Sequence, residues 1–426
     1  MAQQIKVIRG MHDILPVDMD AWYQVEDSWR TLAEAYGYRQ IRTPIMEKTA
    51  LFKRSIGEVT DIVEKEMYSF DDLGGDNLSL RPEGTASVVR AGIENGLLVN
   101  QQQRLWYSGP MFRRERPQKG RYRQFYQLGA ETFGMPGADI EAELIFMASR
   151  FWKLLGLGNI ELQLNTLGTA ETRLKYKDLL VSYLRGHMDE LDGDSLRRLE
   201  SNPLRILDSK NPDMQGLIEA APQLRDHLDQ QSSDHFAELL EILDFNAVAY
   251  HINPRLVRGL DYYSHTVFEF VTTSLGAQGT VCAGGRYDSL VEQLGGKPSH
   301  AAGFAMGIER LVLMLQDQQK VTTQTETDIY FVMAGANSSM HGQKLAEMLR
   351  NELPGIQLVA HSGGGSFKSQ MKKADKSGAS IALILGETEI QNSTVNIKFL
   401  RQDLQQLEIE QSQLVEQIKT LLKTKV

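Results

Sequence analysis

The sequence predicts an α/β protein of more than one domain: an α+β core carrying a helical insertion, then a smaller α/β domain with a mostly parallel sheet. Three observations predict it. The chain has 426 residues, and single cores stop growing near ~250–300 residues. Strand-like runs and hairpin turns alternate with helices in the first 165 residues and resume at His251, while the tract between them shows only helical periodicity. From residue 328 strands alternate with helices, the pattern of a parallel sheet covered on both faces. The expected divisions are 1–168 and 251–320 for the two parts of the core, 169–250 for the insertion, 321–327 for a polar linker (from the unpatterned KVTTQTET at 320–327) and 328–426 for the last domain.

The elements follow in order. Trp22, Val25, Trp29, Leu32, Ala33 and Tyr36 recur at helical spacing from about Asp18, and Gly37 ends that helix. Arg39 to Arg42 reads as a short strand stopped by Pro44, and Thr49 to Ile56 as a helix. Glu66 to Phe70 and Leu78 to Arg81 flank a turn of Asp and Gly, which makes a hairpin. Pro82-Glu83-Gly84-Thr85 opens a helix closed by Gly96. Leu105 to Tyr107 leads into a basic hairpin, Ile140 to Leu155 is an amphipathic helix, and Glu161 to Asn165 a strand. Past the insertion come a strand at Thr266 to Val271, a glycine-rich turn into a helix at Thr280 to Asp288, and a strand running into a helix at Gly303 to Leu311. The last domain reads as strands at 329–333, 356–360, 381–385 and 395–399, with helices at 338–351, at 366–376 and from about Gln411.

Composition narrows the class. The chain is 42% hydrophobic and 24% charged, ordinary for a globular protein. The N-terminal stretch has no apolar core of a signal peptide, and no run is long and apolar enough to span a bilayer. Cys282 is the only cysteine, so an internal disulfide and a cysteine-rich metal site are excluded, which fits a reducing cytoplasm. No metal site is expected among the scattered histidines. Net charge is −9, against a general nucleic-acid binder but compatible with local basic patches.

The segment from Gly109 to Gly134 stands out against that acidic background. Six of the eleven residues from Arg113 to Arg123 are Arg or Lys, opposed only by Glu115. This reads as a strand, a basic loop and a returning strand that begins with Phe125. Gln127 and Glu131 fall at period-two spacing on one face of it, and buried polar groups need partners. Three segments place Arg and acid beside Gly and aromatics. Arg113, Arg121, Arg258 and Arg310 could neutralise a triphosphate. Phe125 and Arg310 could sandwich a base, and Glu83 and Glu131 could hold a cation. Bland alternatives stand beside these. Glu83 could simply favour a helix N-terminus, and Arg258 could form a structural salt bridge, with Asp261 the nearest acid. No P-loop or GxGxxG is present. GGGSFK at 363–368 precedes a helix and could hold a phosphate. Lys368, Lys372 and Lys376 share one helix face that is either solvated or turned to a phosphate backbone.

Together these segments resemble the class II aminoacyl-tRNA synthetases, and specifically the histidyl-tRNA synthetases. The region Tyr38 to Pro44 resembles the dimer-forming first motif. Phe112-Arg113-Arg114-Glu115 with Arg121 and Phe125 resembles the second, and Gly303 to Arg310 the third. Leu256 to Tyr263 and Ala283 to Asp288 resemble the two histidine-specific signatures.

The resemblance implies an antiparallel-sheet core, a helical insertion and a C-terminal anticodon-binding domain. It implies activation of L-histidine with ATP to histidyl-adenylate and pyrophosphate, then transfer to the 3′ end of tRNA(His). Arg113 and Arg258 would be catalytic. Arg113, Glu115, Arg121, Phe125 and Arg310 would bind ATP, with Mg²⁺ on its phosphates. Glu83, Thr85, Gln127, Glu131, Arg258, Tyr262 and Tyr263 would bind histidine, Glu131 and Tyr263 reading the imidazole. Arg116 and Gln118 at the loop tip, with Lys368 and Lys372, are candidates for tRNA contact. The family is a homodimer. A rival expectation is a histidine-binding regulatory paralogue of a phosphoribosyltransferase. Such paralogues lack the tRNA-binding domain and have degraded active-site arginines, whereas this chain keeps all four.

Overall fold

A computed structural model describes residues 3–57, 60, 62–209, 211–276, 279–322 and 327–422. The chain separates into two compact units, Met1–Thr322 and Thr323–Val426. Of the expected linker at 321–327, residues 323–326 lie outside the described residues.

The first unit begins with α1 (Met19–Ala35), whose Trp22, Val25, Trp29 and Leu32 are buried. Gly37 follows with φ +78°, a conformation that glycine adopts without a steric penalty. Next come β1 (Arg39–Gln40), β2 (Met46–Lys48), α2 (Thr49–Ile56), the hairpin β3 (Tyr68–Asp71) and β4 (Asn77–Leu80), and α3 (Thr85–Glu94). The long hairpin is β5 (Gln103–Phe112) and β6 (Gln124–Phe133), followed by α4 (Asp139–Leu154) and β7 (Glu161–Thr166).

The insertion holds α5 (Ala170–Arg185), α6 (Gly193–Arg198), α7 (Gln215–Glu219) and α8 (Gln230–Phe245), joined by short 3₁₀ turns. Thr169, Asp192 and Asp229 each accept a hydrogen bond from the backbone N–H three residues on, so three of these helices start on a side-chain cap. The core resumes with β8 (His251–Ile252), β9 (Ser264–Val271), β10 (Thr280–Arg286), α9 (Ser289–Gln293), β11 (Ala301–Gly307) and α10 (Ile308–Asp317).

Eight strands form one sheet in the order β1-β5-β6-β11-β10-β9-β7-β8. Its pairings are antiparallel except for the two edges, β1 with β5 and β7 with β8. The alternation along β6 divides the molecule. Leu128 and Ala130 join a core with α1, α4 and α10 on one face. Phe133, of the opposite parity, joins a second core with α3, the insertion and Tyr262, Tyr263 and Tyr287. Gln127 and Glu131 share the parity of Phe133.

One expectation is overturned. Thr280 to Arg286 is not a turn but a central strand, paired on both sides. Its glycines serve close packing: a β-carbon on Gly284 would lie 2.3 Å from the Gly303 carbonyl oxygen, so no larger residue fits between these strands.

The second unit holds β12 (Ile329–Met333), α11 (Ser338–Glu352), β13 (Leu358–Ala360), α12 (Phe367–Lys376), β14 (Ile381–Leu385), α13 (Glu387–Asn392), β15 (Thr394–Phe399), β16 (Leu407–Glu410) and α14 (Leu414–Leu421). The sheet order is β13-β12-β14-β15-β16. The first three strands are parallel, and β15 and β16 add antiparallel at one edge. Strand β16 and helix α13 have no counterpart in the sequence reading. Among the described residues no helix is long and apolar enough to cross a membrane.

Candidate active site

Residues of the hairpin, of α3, of β9 to β11 and of the insertion surround one cavity of about 1260 Å³ in the first unit. A second pocket beside α5 is smaller, about 300 Å³.

One end of the cavity is cationic. Antiparallel pairing carries β5 and β6 to the basic loop, which Arg113 N–H closes by donating to the Arg123 carbonyl at 2.9 Å. The Arg113 Nε donates to the Pro82 carbonyl at 2.8 Å, and its guanidinium lies 5.3 Å from the Phe125 ring centre. Glu115 is buried between two arginines. It pairs with Arg121 Nε, and its other oxygen stands 3.8 Å from Arg113 Nη1. Arg310 reaches the same end from α10, donating to the carbonyls of Thr280 and Gly120. Burial first, then repulsion from Arg121, lowers the Arg310 guanidinium below its ordinary value. Three convergent cations against one buried carboxylate make a strong anion site. The cation over Phe125 is Arg113.

Glu309, beside Arg310, was not anticipated. Both of its carboxylate oxygens accept from the Tyr126 N–H, at 2.9 and 3.1 Å. Burial pushes this carboxyl up to about 8.

The other end is polar, aromatic and mostly buried. Glu83 accepts from the Thr85 N–H at 2.6 Å and the Ala86 N–H at 2.9 Å. It therefore caps the first turn of α3 and lines the cavity as well. The Gln127 Oε1 is buried with no hydrogen-bond partner, and Gln127 lines the cavity. An acceptor so placed calls for a donor from a ligand. Arg258 is largely buried. Its Nη1 pairs with Glu269, its Nε has no partner, and its guanidinium lies 5.4 Å from the Tyr263 ring centre. The anticipated partner Asp261 instead accepts from Asn202 at 3.0 Å. Glu269 sits on β9 at sheet distance from the loop, a tertiary relation that proximity in sequence could not reveal.

Glu131 lies under this end and does not line the cavity. Its side chain is fully buried, accepting from Thr85 Oγ1 at 2.7 Å and from the Tyr287 hydroxyl. Burial pushes its carboxyl up to about 8, against the pull of Tyr287 and Thr85. The rings of Tyr262 and Tyr263 lie 4.7 Å apart, and Tyr287 meets them edge-on at 5.6 and 6.2 Å. Tyr287, like Glu309, is a residue that sequence reasoning missed. The signal was its place in Gly284-Gly285-Arg286-Tyr287.

Arg116 and Gln118 are exposed at the loop tip, outside the cavity lining. Lys368 and Lys372 are exposed on α12 of the second unit, after three glycines with positive φ and the capping Ser366.

Comparison with known proteins adds an independent line. The family pattern described as histidyl-tRNA synthetase matches residues 10–311, and that of an anticodon binding domain matches residues 328–421. The chain is similar to apo histidyl-tRNA synthetase of S. aureus, with 34% identity and a TM-score of 0.82, covering 98% of this chain and 100% of that one. Its fold is also similar to histidyl-tRNA synthetase from Nostoc sp., at 18% identity and a TM-score of 0.69, over 98% of this chain and 100% of that one. A Bacillus halodurans protein described as an ATP phosphoribosyltransferase regulatory subunit/histidyl-tRNA synthetase shares the fold more distantly. It has 21% identity and a TM-score of 0.63, over 88% of this chain and 97% of that one.

Proposed function

The chain belongs to the histidyl-tRNA synthetase family, and from that premise we propose that it activates L-histidine with ATP and esterifies tRNA(His). The observation that carries this reading is the polarity of one cavity. Arg113, Arg121 and Arg310 converge at one end, and the unpartnered Gln127 Oε1 with the buried Glu83 stands at the other.

In the first step a histidine carboxylate oxygen attacks the α-phosphorus of ATP, and the bond to the bridging oxygen of pyrophosphate breaks. Arg258, whose Nε is unpartnered, orients the carboxylate and offsets charge growing on the α-phosphate, with Arg113 doing so from the hairpin side. Arg121 and Arg310 hold the outer phosphates, while Phe125 supplies a face for the adenine beside Glu115. Gln127, Glu83 and Thr85 take the ammonium. Tyr263 reads the imidazole from the cavity wall with Glu131 behind it, and such paired polar groups reject an isosteric apolar side chain. In the second step the terminal ribose hydroxyl of the tRNA attacks the carbonyl carbon and AMP leaves.

Mg²⁺ fits this site as a companion of the triphosphate. Among the described residues no group of three or more His, Cys, Asp or Glu is placed to hold a metal ion, and Mg²⁺ is commonly held by substrate phosphates. It would supply charge neutralisation at the phosphates. The second unit would bind the anticodon, Arg116 and Gln118 the tRNA end, and the protein would work as a cytoplasmic homodimer.

Charging of unfractionated tRNA with labelled histidine tests the reading. The expected result is ATP-dependent ester formation on tRNA(His) alone. Histidine binding without any charging would favour the regulatory paralogue.

A further inference from the structure

The stretch that carries Arg258 and Tyr263 has no ladder of its own. Residues 253–263 are turns and irregular backbone between β8 and β9. The direction of the two side chains must therefore be set by what the backbone touches.

The core supplies part of that support. Asn165 donates to the Leu256 carbonyl at 2.9 Å, and the Ile56 carbonyl accepts from the Asp261 N–H at 3.2 Å. The helical insertion supplies the rest. Arg173 of α5 donates from Nη1 to the Tyr263 carbonyl. Asn202 donates to Asp261 Oδ1 at 3.0 Å. Arg255 donates to Gln215 Oε1 and Glu219 Oε1, each at 2.9 Å. Leu207, Met214 and Leu217 share an apolar core with Leu256, Val257 and Tyr263.

We propose that Arg173 is a positioning residue for histidine recognition, acting from the insertion through the backbone of Tyr263. Its guanidinium serves both ends of one turn. It bonds the Tyr263 carbonyl, and its charge acts on Asp261, whose carboxyl burial pushes up against the hydrogen bond from Asn202 and then the pull of Arg173. The Tyr263 ring at the end of that turn lies beneath the Arg258 guanidinium. Freeing the turn frees both side chains, so the insertion is part of the amino-acid pocket before any tRNA arrives.

The inference rests on the reading of this end of the cavity as a histidine site. Histidine-dependent exchange of pyrophosphate into ATP, measured on the full chain, tests it. Arg173→Ala is expected to raise KM for histidine about tenfold, as for loss of one charge-assisted hydrogen bond, with KM for ATP changed by less than about twofold. Arg173→Lys keeps a cationic donor and is expected to recover most of the loss. A wild-type KM for histidine in Arg173→Ala overturns the proposal. So does a parallel rise of both KM values that Arg173→Lys does not relieve, which is the mark of a merely structural contact. Should Arg173→Ala fail to fold, Asn202→Ala is expected to show the same selective rise, and its absence counts against the proposal. A folded wild-type chain inert with histidine would instead overturn the site reading on which the inference rests.

Discussion

Gly303 lies directly across the sheet from Glu131, and a β-carbon on Gly303 would stand 1.7 Å from Glu131 Oε2. The strand before α10 thus contributes an absence of side chain, which lets a carboxylate lie flat between two strands under the cavity.

Gly303→Ala is expected to displace that carboxylate from Tyr287 and Thr85. The Ala130 carbonyl, 2.5 Å from the same β-carbon position, blocks the other way out. Overpacking of this kind destabilises by about 1–3 kcal/mol. Thermal melting and histidine-dependent exchange measured together should show a folded protein of lowered stability with little activity. Wild-type activity would mean that Glu131 has no part in recognition.

Arg310 sits where burial and Arg121 both oppose its charge, so an anion there relieves it. Removing one preorganised charge contact commonly lowers the rate about 10²-fold or more. Arg310→Ala should accordingly lower exchange by about that factor through kcat/KM for ATP, with KM for histidine little moved. Steady-state kinetics with each substrate varied would check the separation.

Glu309 and Glu131 are each pushed up to about 8 by burial, whereas an unfolded glutamate titrates near ~4.3. Folding therefore favours the protonated form of both. Their contribution to stability is complete below the unfolded value and is lost as pH rises through about 8. The ligand-free protein should melt at progressively lower temperature as pH rises from the acidic side through that value. Glu309→Gln, which stays neutral, should flatten part of the slope. An identical slope in the variant would contradict the assignment.

Glu141 and Arg286 form a buried pair at 2.6 Å, joined by His235 of the insertion at 2.7 Å. Removing one member of a buried pair strands the other, at about 3–5 kcal/mol. Glu141→Ala should lose stability on that scale in urea denaturation, and a loss below about 1 kcal/mol would mean that water replaces the carboxylate.

Local pattern made much of this molecule legible. The stripe Trp22, Val25, Trp29, Leu32 announces α1, and alternation places Gln127 and Glu131 on one face of β6. What stayed hidden depends on contacts distant in sequence. Thr280 to Arg286 looks like a turn because its glycines suggest one, yet those glycines are demanded by neighbouring backbones at Gly303 and Thr266. Arg258 finds Glu269 only because β9 folds back under its loop. Tyr287 closes on Glu131 across 156 residues of chain. The arginines were visible as a cluster in the hairpin, but the arrival of Arg310 beside them is a property of the sheet order.

The central claim is that this cavity activates histidine. The most direct measurement is exchange of labelled pyrophosphate into ATP by the full chain, with each amino acid supplied in turn. Exchange is expected with histidine alone. Exchange with a different amino acid, or none with any in a folded sample, would contradict it.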